Sequence, residues 1–164
     1  MGELCRLPAG VAIRGKCIHK PEEEFMTIDF KSDATISVDE AIDLYNRSTL
    51  GERRPVNRPD IFEGMLKHAN LTITAWQGER LVGIARTLTD FTYVAYLADL
   101  AVDATIQKAG IGTRLIEETR LRLSADCMIV LLAAPKANDY YPKIGFEHNP
   151  RAWVLPRGAK LGRS

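Results

Sequence analysis

The chain has 164 residues, 46% of them hydrophobic and 26% charged, which is the length of one domain and the composition of an ordinary folded protein rather than a disordered or membrane-spanning one. Lys and Arg total 22 against 21 Asp and Glu, so no net field gathers nucleic acid or an anionic membrane, and any polyanion must be bound locally. Cys5, Cys17 and Cys127 are an odd set without CxxC spacing, which speaks against a disulfide framework and against a metal site.

Residues 1–24 show no sustained periodicity and no apolar stretch long enough for a secretory signal. They read as an N-terminal arm of a cytoplasmic protein, with a single domain expected over residues 1–164. A first strand is predicted at Phe25–Phe30. Ser37 followed by Glu40 is a capping box, and Ala41, Leu44, Tyr45 and Ser48 follow at helical spacing, so a helix is expected over residues 37–49. Gly51, Pro55 and Pro59 make residues 49–59 a loop, and Asp60 is expected to cap a second helix that carries Phe62, Met65 and Leu66 and ends near Asn70.

From Leu71 the period becomes two. Leu71–Trp76 and Arg80–Leu88 read as strands joined through Gln77-Gly78-Glu79, and Tyr93–Val102 as a third. A helix over residues 112–124, a buried strand at Cys127–Ala133 and strand-like material in Phe146–Leu155 complete the order β α α β β β α β α β. The predicted fold class is α/β: a mixed sheet of about six to seven strands, an antiparallel meander and then a βαβ unit, flanked by about four helices.

The chemistry is expected where the strand ending at Val102 feeds the next helix. Gly110 and Gly112 lack Cβ atoms, so the backbone can turn sharply and aim its N–H groups at one place ahead of the helix. The helix N-terminus and Lys108 add positive charge, a setting that suits a pyrophosphate. Leu115 stands where a dinucleotide fingerprint needs its third glycine, and no G-K-[ST] closes a nucleotide-triphosphate loop.

Leu100-Ala101-Val102 followed by Gln107-Lys108-Ala109-Gly110-Ile111-Gly112 resembles the Q/R-x-x-G-x-G/A signature of GNAT-type N-acetyltransferases. Ala137-Asn138-Asp139-Tyr140-Tyr141-Pro142-Lys143-Ile144-Gly145-Phe146 resembles the family's A-x-x-F-Y-x-x-x-G-F segment, in the right order and at the expected distance. The resemblance covers roughly residues 25–155. It implies a GNAT-like fold, acetyl-CoA as co-substrate, a primary amine as acceptor and no metal.

Residue by residue, it implies that the backbone of Leu100, Ala101 and Val102 grips the pantetheine arm. Gln107, Lys108, Ala109, Gly110, Ile111, Gly112 and Thr113 would hold the pyrophosphate. Tyr141 would protonate the departing thiolate, a task suited to a phenol whose pKa lies within about 1.5 units of a thiol's, while Tyr140 packs. Ala134-Pro135 stands where the family often has an asparagine, so that hydrogen bond falls to another group, for example Asn138.

An amine must lose a proton before it attacks. Asp99, a carboxylate among apolar strand residues, either holds the ammonium or passes its proton on through water, or else accepts backbone hydrogen bonds at a strand bulge, and Tyr96 occupies a position where some relatives carry a base or else lines the cleft. Arg53, Arg54 and Arg58 read as a solvated loop, with receipt of an acidic acceptor or of the coenzyme's phosphate as the alternative. His19, His68 and His148 have no metal or triad spacing and receive no role. A noncatalytic acyl-CoA-binding module and an acetyltransferase acting on a protein amine stay open beside a small-molecule enzyme. A homodimer stays open too, since the terminal strands of such folds often pair across a two-fold.

Overall fold

The computed structural model describes residues 27–32 and 34–162. Its strands and helices are β1 (Ile28–Lys31), α1 (Val38–Arg47), α2 (Pro59–Lys67), β2 (Leu71–Gln77), β3 (Arg80–Thr89), β4 (Val94–Val102), α3 (Ile111–Arg120) and β5 (Met128–Val130). They build one mixed sheet in the order β1-β2-β3-β4-β5, with three antiparallel pairings followed by a parallel one between β4 and β5. The N-terminal arm, Cys5, Cys17, His19 and Phe25 at the head of the predicted first strand lie outside the described residues.

Local chemistry accounts for the early elements. Glu40 N donates to Ser37 Oγ at 3.1 Å and Ser37 N to Glu40 Oε2 at 2.9 Å, so the predicted capping box opens α1. The β2–β3 hairpin turns on Gly78 at φ +59, a backbone that a side chain would resist. α2 begins with Pro59 at its first turn and Arg58 as its N-cap, without a side-chain cap. Asp60, expected as the cap, instead pairs with Arg58 at 2.8 Å.

The sheet is covered on both faces because its strands alternate. Leu81, Ile84 and Ala101 pack with Leu44, Tyr45 and Phe62 of α1 and α2, whereas Val82, Ala85 and Leu97 pack with Ile111, Leu115 and Ile116 of α3. The rings of Tyr45 and Phe62 meet edge to face at 4.8 Å, the arrangement favoured by aromatic quadrupoles.

The described sheet has five strands, fewer than the six to seven expected, and it departs from the sequence reading after α3. The strand predicted at Cys127–Ala133 keeps only three residues, and the expected fourth helix is reduced to single 3₁₀ turns at Pro135–Ala137 and Tyr141–Ile144. The tail Phe146–Leu155 forms no strand, and Trp153 is 94% exposed. Apolar residues make a segment strand-like, but a strand also needs an edge to bond to.

Candidate active site

β4 and β5 part after three residue pairs. Val94, Ala95 and Tyr96 face Met128, Ile129 and Val130, and beyond them β4 continues to Val102 while β5 ends at Val130. The parting coincides with a bulge: Arg86 of β3 faces Asp99 and Thr87 faces Leu97, which leaves Ala98 without a partner. An unpaired residue of this kind bends a strand and re-aims its side chains. The result is a cleft of about 230 Å³ with Leu97, Ala98 and Leu100 on one wall, residues 131–135 on the other, and Tyr141, Arg53 and Arg54 also reaching it.

The bulge is held by charge. Asp99 is fully buried, and its Oδ2 accepts from Tyr45 OH at 2.9 Å and from Arg86 Nε at 2.5 Å, while its Oδ1 accepts from Arg54 Nε at 2.5 Å. Arg54 Nη2 donates to Ala98 O at 2.9 Å. Burial, then the neighbouring Asp99 charge, push the Tyr45 phenol well above its ordinary value, so Tyr45 stays a donor. Asp99 does not reach the cleft wall formed by its neighbours Ala98 and Leu100.

A second acid anchors the far end of β4. Asp103 pairs with Arg47 and, at 3.0 Å, with Arg80, and it accepts from Thr105 N at 3.0 Å. Burial works against its charge, but the Thr105 and Arg47 bonds prevail and hold its pKa below the usual carboxylate value. From this anchor the chain enters the glycine turn.

Gln107 Nε2 donates to Val102 O at 3.0 Å. Lys108 and Gly110 both adopt left-handed backbone, at φ +70 and +79, and Gly110 is the N-cap of α3. The first backbone donor of that helix with a bonded partner is Arg114, to Gly110 O at 3.0 Å, so the amides of Ile111, Gly112 and Thr113 face the turn as helix-start donors. No acidic residue occupies the first turn of α3.

The aromatic pair behind the cleft divides its labour. Tyr140 OH lies 3.1 Å from Thr113 Oγ1, and a Cβ added to Gly112 would stand 3.3 Å from that hydroxyl, so the start of α3 and the 139–146 segment meet without spare room. Tyr141 packs edge to face on Tyr140 and Phe146 at 5.3 and 5.5 Å. Burial raises its pKa, Tyr140 adds to this, and Arg53 opposes it.

The structure therefore gathers Leu100 and Tyr141 at the cleft, with Ala101 and Val102 continuing the same strand into the loop of Gln107, Lys108, Ala109, Gly110, Ile111, Gly112 and Thr113. Asn138 is exposed on the turn after Ala137, Tyr96 is partly exposed where β4 still pairs with β5, and His68 and His148 are exposed. Arg54, read from sequence as part of a solvated loop, is a half-buried partner of Asp99. The signal for it was the buried Asp99 itself, which demands a counter-cation. A thioester arm ending in a pyrophosphate fits this donor set, with an unshared strand edge, a cleft and a cationic helix start in succession. Among the described residues no cluster of His, Cys, Asp and Glu could hold a metal ion.

Residues 49–152 match the family model of the acetyltransferase (GNAT) domain. The chain is similar to an uncharacterized N-acetyltransferase, ycf52, of Porphyra purpurea, at 29% identity over 140 residues, covering 79% of this chain and 78% of that one. Its fold is similar to that of the GNAT family acetyltransferase SP0256 from Streptococcus pneumoniae TIGR4, with a TM-score of 0.64 and 22% identity over 79% of this chain and 98% of the other. It is also similar to that of the aminoglycoside N-acetyltransferase AAC(6')-Iy, solved in complex with CoA, with a TM-score of 0.60 and 16% identity over 81% and 96% of the two chains.

Proposed function

The chain belongs to the GNAT family of acetyltransferases, and we propose that it moves the acetyl group of acetyl-CoA onto the primary amine of a small molecule by direct attack in a ternary complex. The observation that carries this reading is the parting of β4 from β5 at Tyr96 and Val130, which leaves an open strand edge beside a cleft that Tyr141 lines.

In this reading the backbone of Leu100, Ala101 and Val102 takes the pantetheine arm as an added strand. The amides ahead of α3, with Lys108, neutralise the pyrophosphate, and Gln107 supports the loop by tying it to Val102. The thioester supplies the acetyl group. The amine nitrogen bonds to the acetyl carbon, the carbon–sulfur bond breaks, and the sulfur leaves with the bonding pair. Tyr141 gives that sulfur its proton and regains one from solvent, and the nitrogen releases its extra proton to water.

We assign Asp99 to positioning rather than to proton transfer. Two arginines and Tyr45 already occupy its oxygens, and it lines no part of the cleft, so it does not stand beside an acceptor amine. Cys127 is buried and has no disulfide partner among the described residues, which supports a direct transfer without an acyl-enzyme.

Thiol release from acetyl-CoA, followed with a thiol reagent across a panel of small amines, tests the reading. Amine-dependent release together with the matching N-acetyl product supports it. A protein that binds coenzyme A yet releases thiol with none of the amines overturns it.

A further inference from the structure

We propose that the acceptor carries an anionic group, a carboxylate or a phosphate, besides its amine, and that the cleft receives this group on Arg53. The inference rests on the acetyltransferase reading and adds the charge class of the substrate.

The ionisable side chains lining the cleft, among the described residues, are Arg53, Arg54 and Tyr141. No carboxylate stands among them to receive an ammonium. Behind the wall, Arg54 and Arg86 share the single carboxylate of Asp99. Their other partners are the carbonyls of Arg53, Ala98 and Met65, and Asp99 also accepts from the neutral Tyr45 hydroxyl. Two cations against one anion leave this buried cluster one positive charge in excess. Arg53 adds a second at the cleft, because it forms no ion pair among the described residues and Glu52 beside it is exposed and lines no part of the cleft. Its charge is felt at Tyr141, where it counters the effect of burial.

The Arg54 and Arg86 charges lie behind the wall and are the less screened, whereas Arg53 is exposed and acts at close range. An acceptor that presented only an ammonium would meet like charge. One that brings an anion at its far end finds a donor fork suited to carboxylate or phosphate. The same positive field lowers the pKa of an ammonium placed beside it. A cleft without a side-chain base thereby gains free amine by electrostatics, which fits the absence of an unengaged carboxylate.

Two matched series test the inference: 5-aminopentanoate, its amide and 1,5-diaminopentane; and 2-aminoethyl phosphate with ethanolamine. The anionic member is expected to exceed the neutral one by about tenfold in kcat/KM, with the diamine poorest. Arg53→Ala is expected to shrink the preference to about threefold or less while the KM for acetyl-CoA holds, and Arg53→Lys to retain most of it. Equal or better turnover of the neutral and cationic members, or a preference untouched in Arg53→Ala, overturns the inference and leaves the transfer reading standing. If nothing is acetylated, the transfer reading fails and binding decides the charge question. CoA-saturated protein is then titrated calorimetrically with N-acetyl-5-aminopentanoate and its amide. Equal affinities sink the inference, and a tenfold preference that Arg53→Ala abolishes sustains it.

Discussion

Arg54 Nε donates to Asp99 Oδ1 at 2.5 Å while its Nη2 donates to Ala98 O at 2.9 Å, so one side chain from the connection between α1 and α2 grips both residues of the β4 bulge. Asp99 is at the same time the anion of Arg86. The bulge that parts the two strands is thus fixed by a buried group with one more cation than anion, and removing its members should have unequal effects.

Asp99→Ala leaves two guanidinium groups without a carboxylate and is expected to lower stability by about 3–5 kcal/mol, read by urea denaturation. Arg54→Ala should cost less, because Arg86 still compensates Asp99. Asp99→Asn should lower kcat through a loosened bulge without moving the acidic limb of the pH–rate profile. A limb that moves would restore Asp99 as the proton acceptor.

Tyr141→Phe is expected to reduce kcat about 100-fold with little change in the KM for acetyl-CoA. Burial raises the phenol's pKa, and the working form is the protonated one. The alkaline loss of activity should therefore begin above about pH 10, the ordinary tyrosine value. Full turnover by the variant at every pH would remove the acid role.

Lys108 holds left-handed backbone at φ +70, a conformation that costs a residue with a Cβ about 1–2 kcal/mol. Lys108→Gly should therefore gain about 0.5–1 kcal/mol of stability while losing coenzyme affinity, because the charge beside the pyrophosphate goes. Calorimetry of coenzyme A binding checks the second effect. Unchanged affinity would mean that the lysine serves the turn alone. Gly110 sits at φ +79 with open space about it, so Gly110→Val should strain the backbone and obstruct the helix start.

Asp103 ties the end of β4 to Arg47 and Arg80, and its pKa is lowered in the folded chain. A depressed carboxylate pKa contributes stability that is fully present above the unfolded value, about 4, and disappears as pH falls through the folded value. Asp103→Asn should lie below the native protein in stability at pH 7 and converge with it as the pH drops below 4. Parallel stability–pH curves would deny the linkage.

The elements built by short-range preference were legible early. Strand alternation from Leu71 to Val102, the glycine turn at Gly110 and Gly112, and the Ser37–Glu40 cap all act over a few neighbours, and each appears where its spacing puts it. The segment after α3 was less legible. Leu131, Leu132, Trp153 and Val154 look strand-like in composition, yet whether they pair depends on an edge that lies elsewhere in the chain.

Asp99 signalled that it needs a cation, but not which residues supply its partners. Arg54 stands 45 residues from Asp99 and Tyr45 54 residues, and no local pattern links them. Sequence by itself determined the helix-capping and turn chemistry, the βαβ unit and the glycine turn ahead of α3, because these follow from dihedral preference and from the periodicity of short segments. Only the tertiary structure decided where β4 leaves β5, which cation holds the bulge and which charges face the cleft. Those depend on burial, where a charge left without a partner costs more than any local preference can offset.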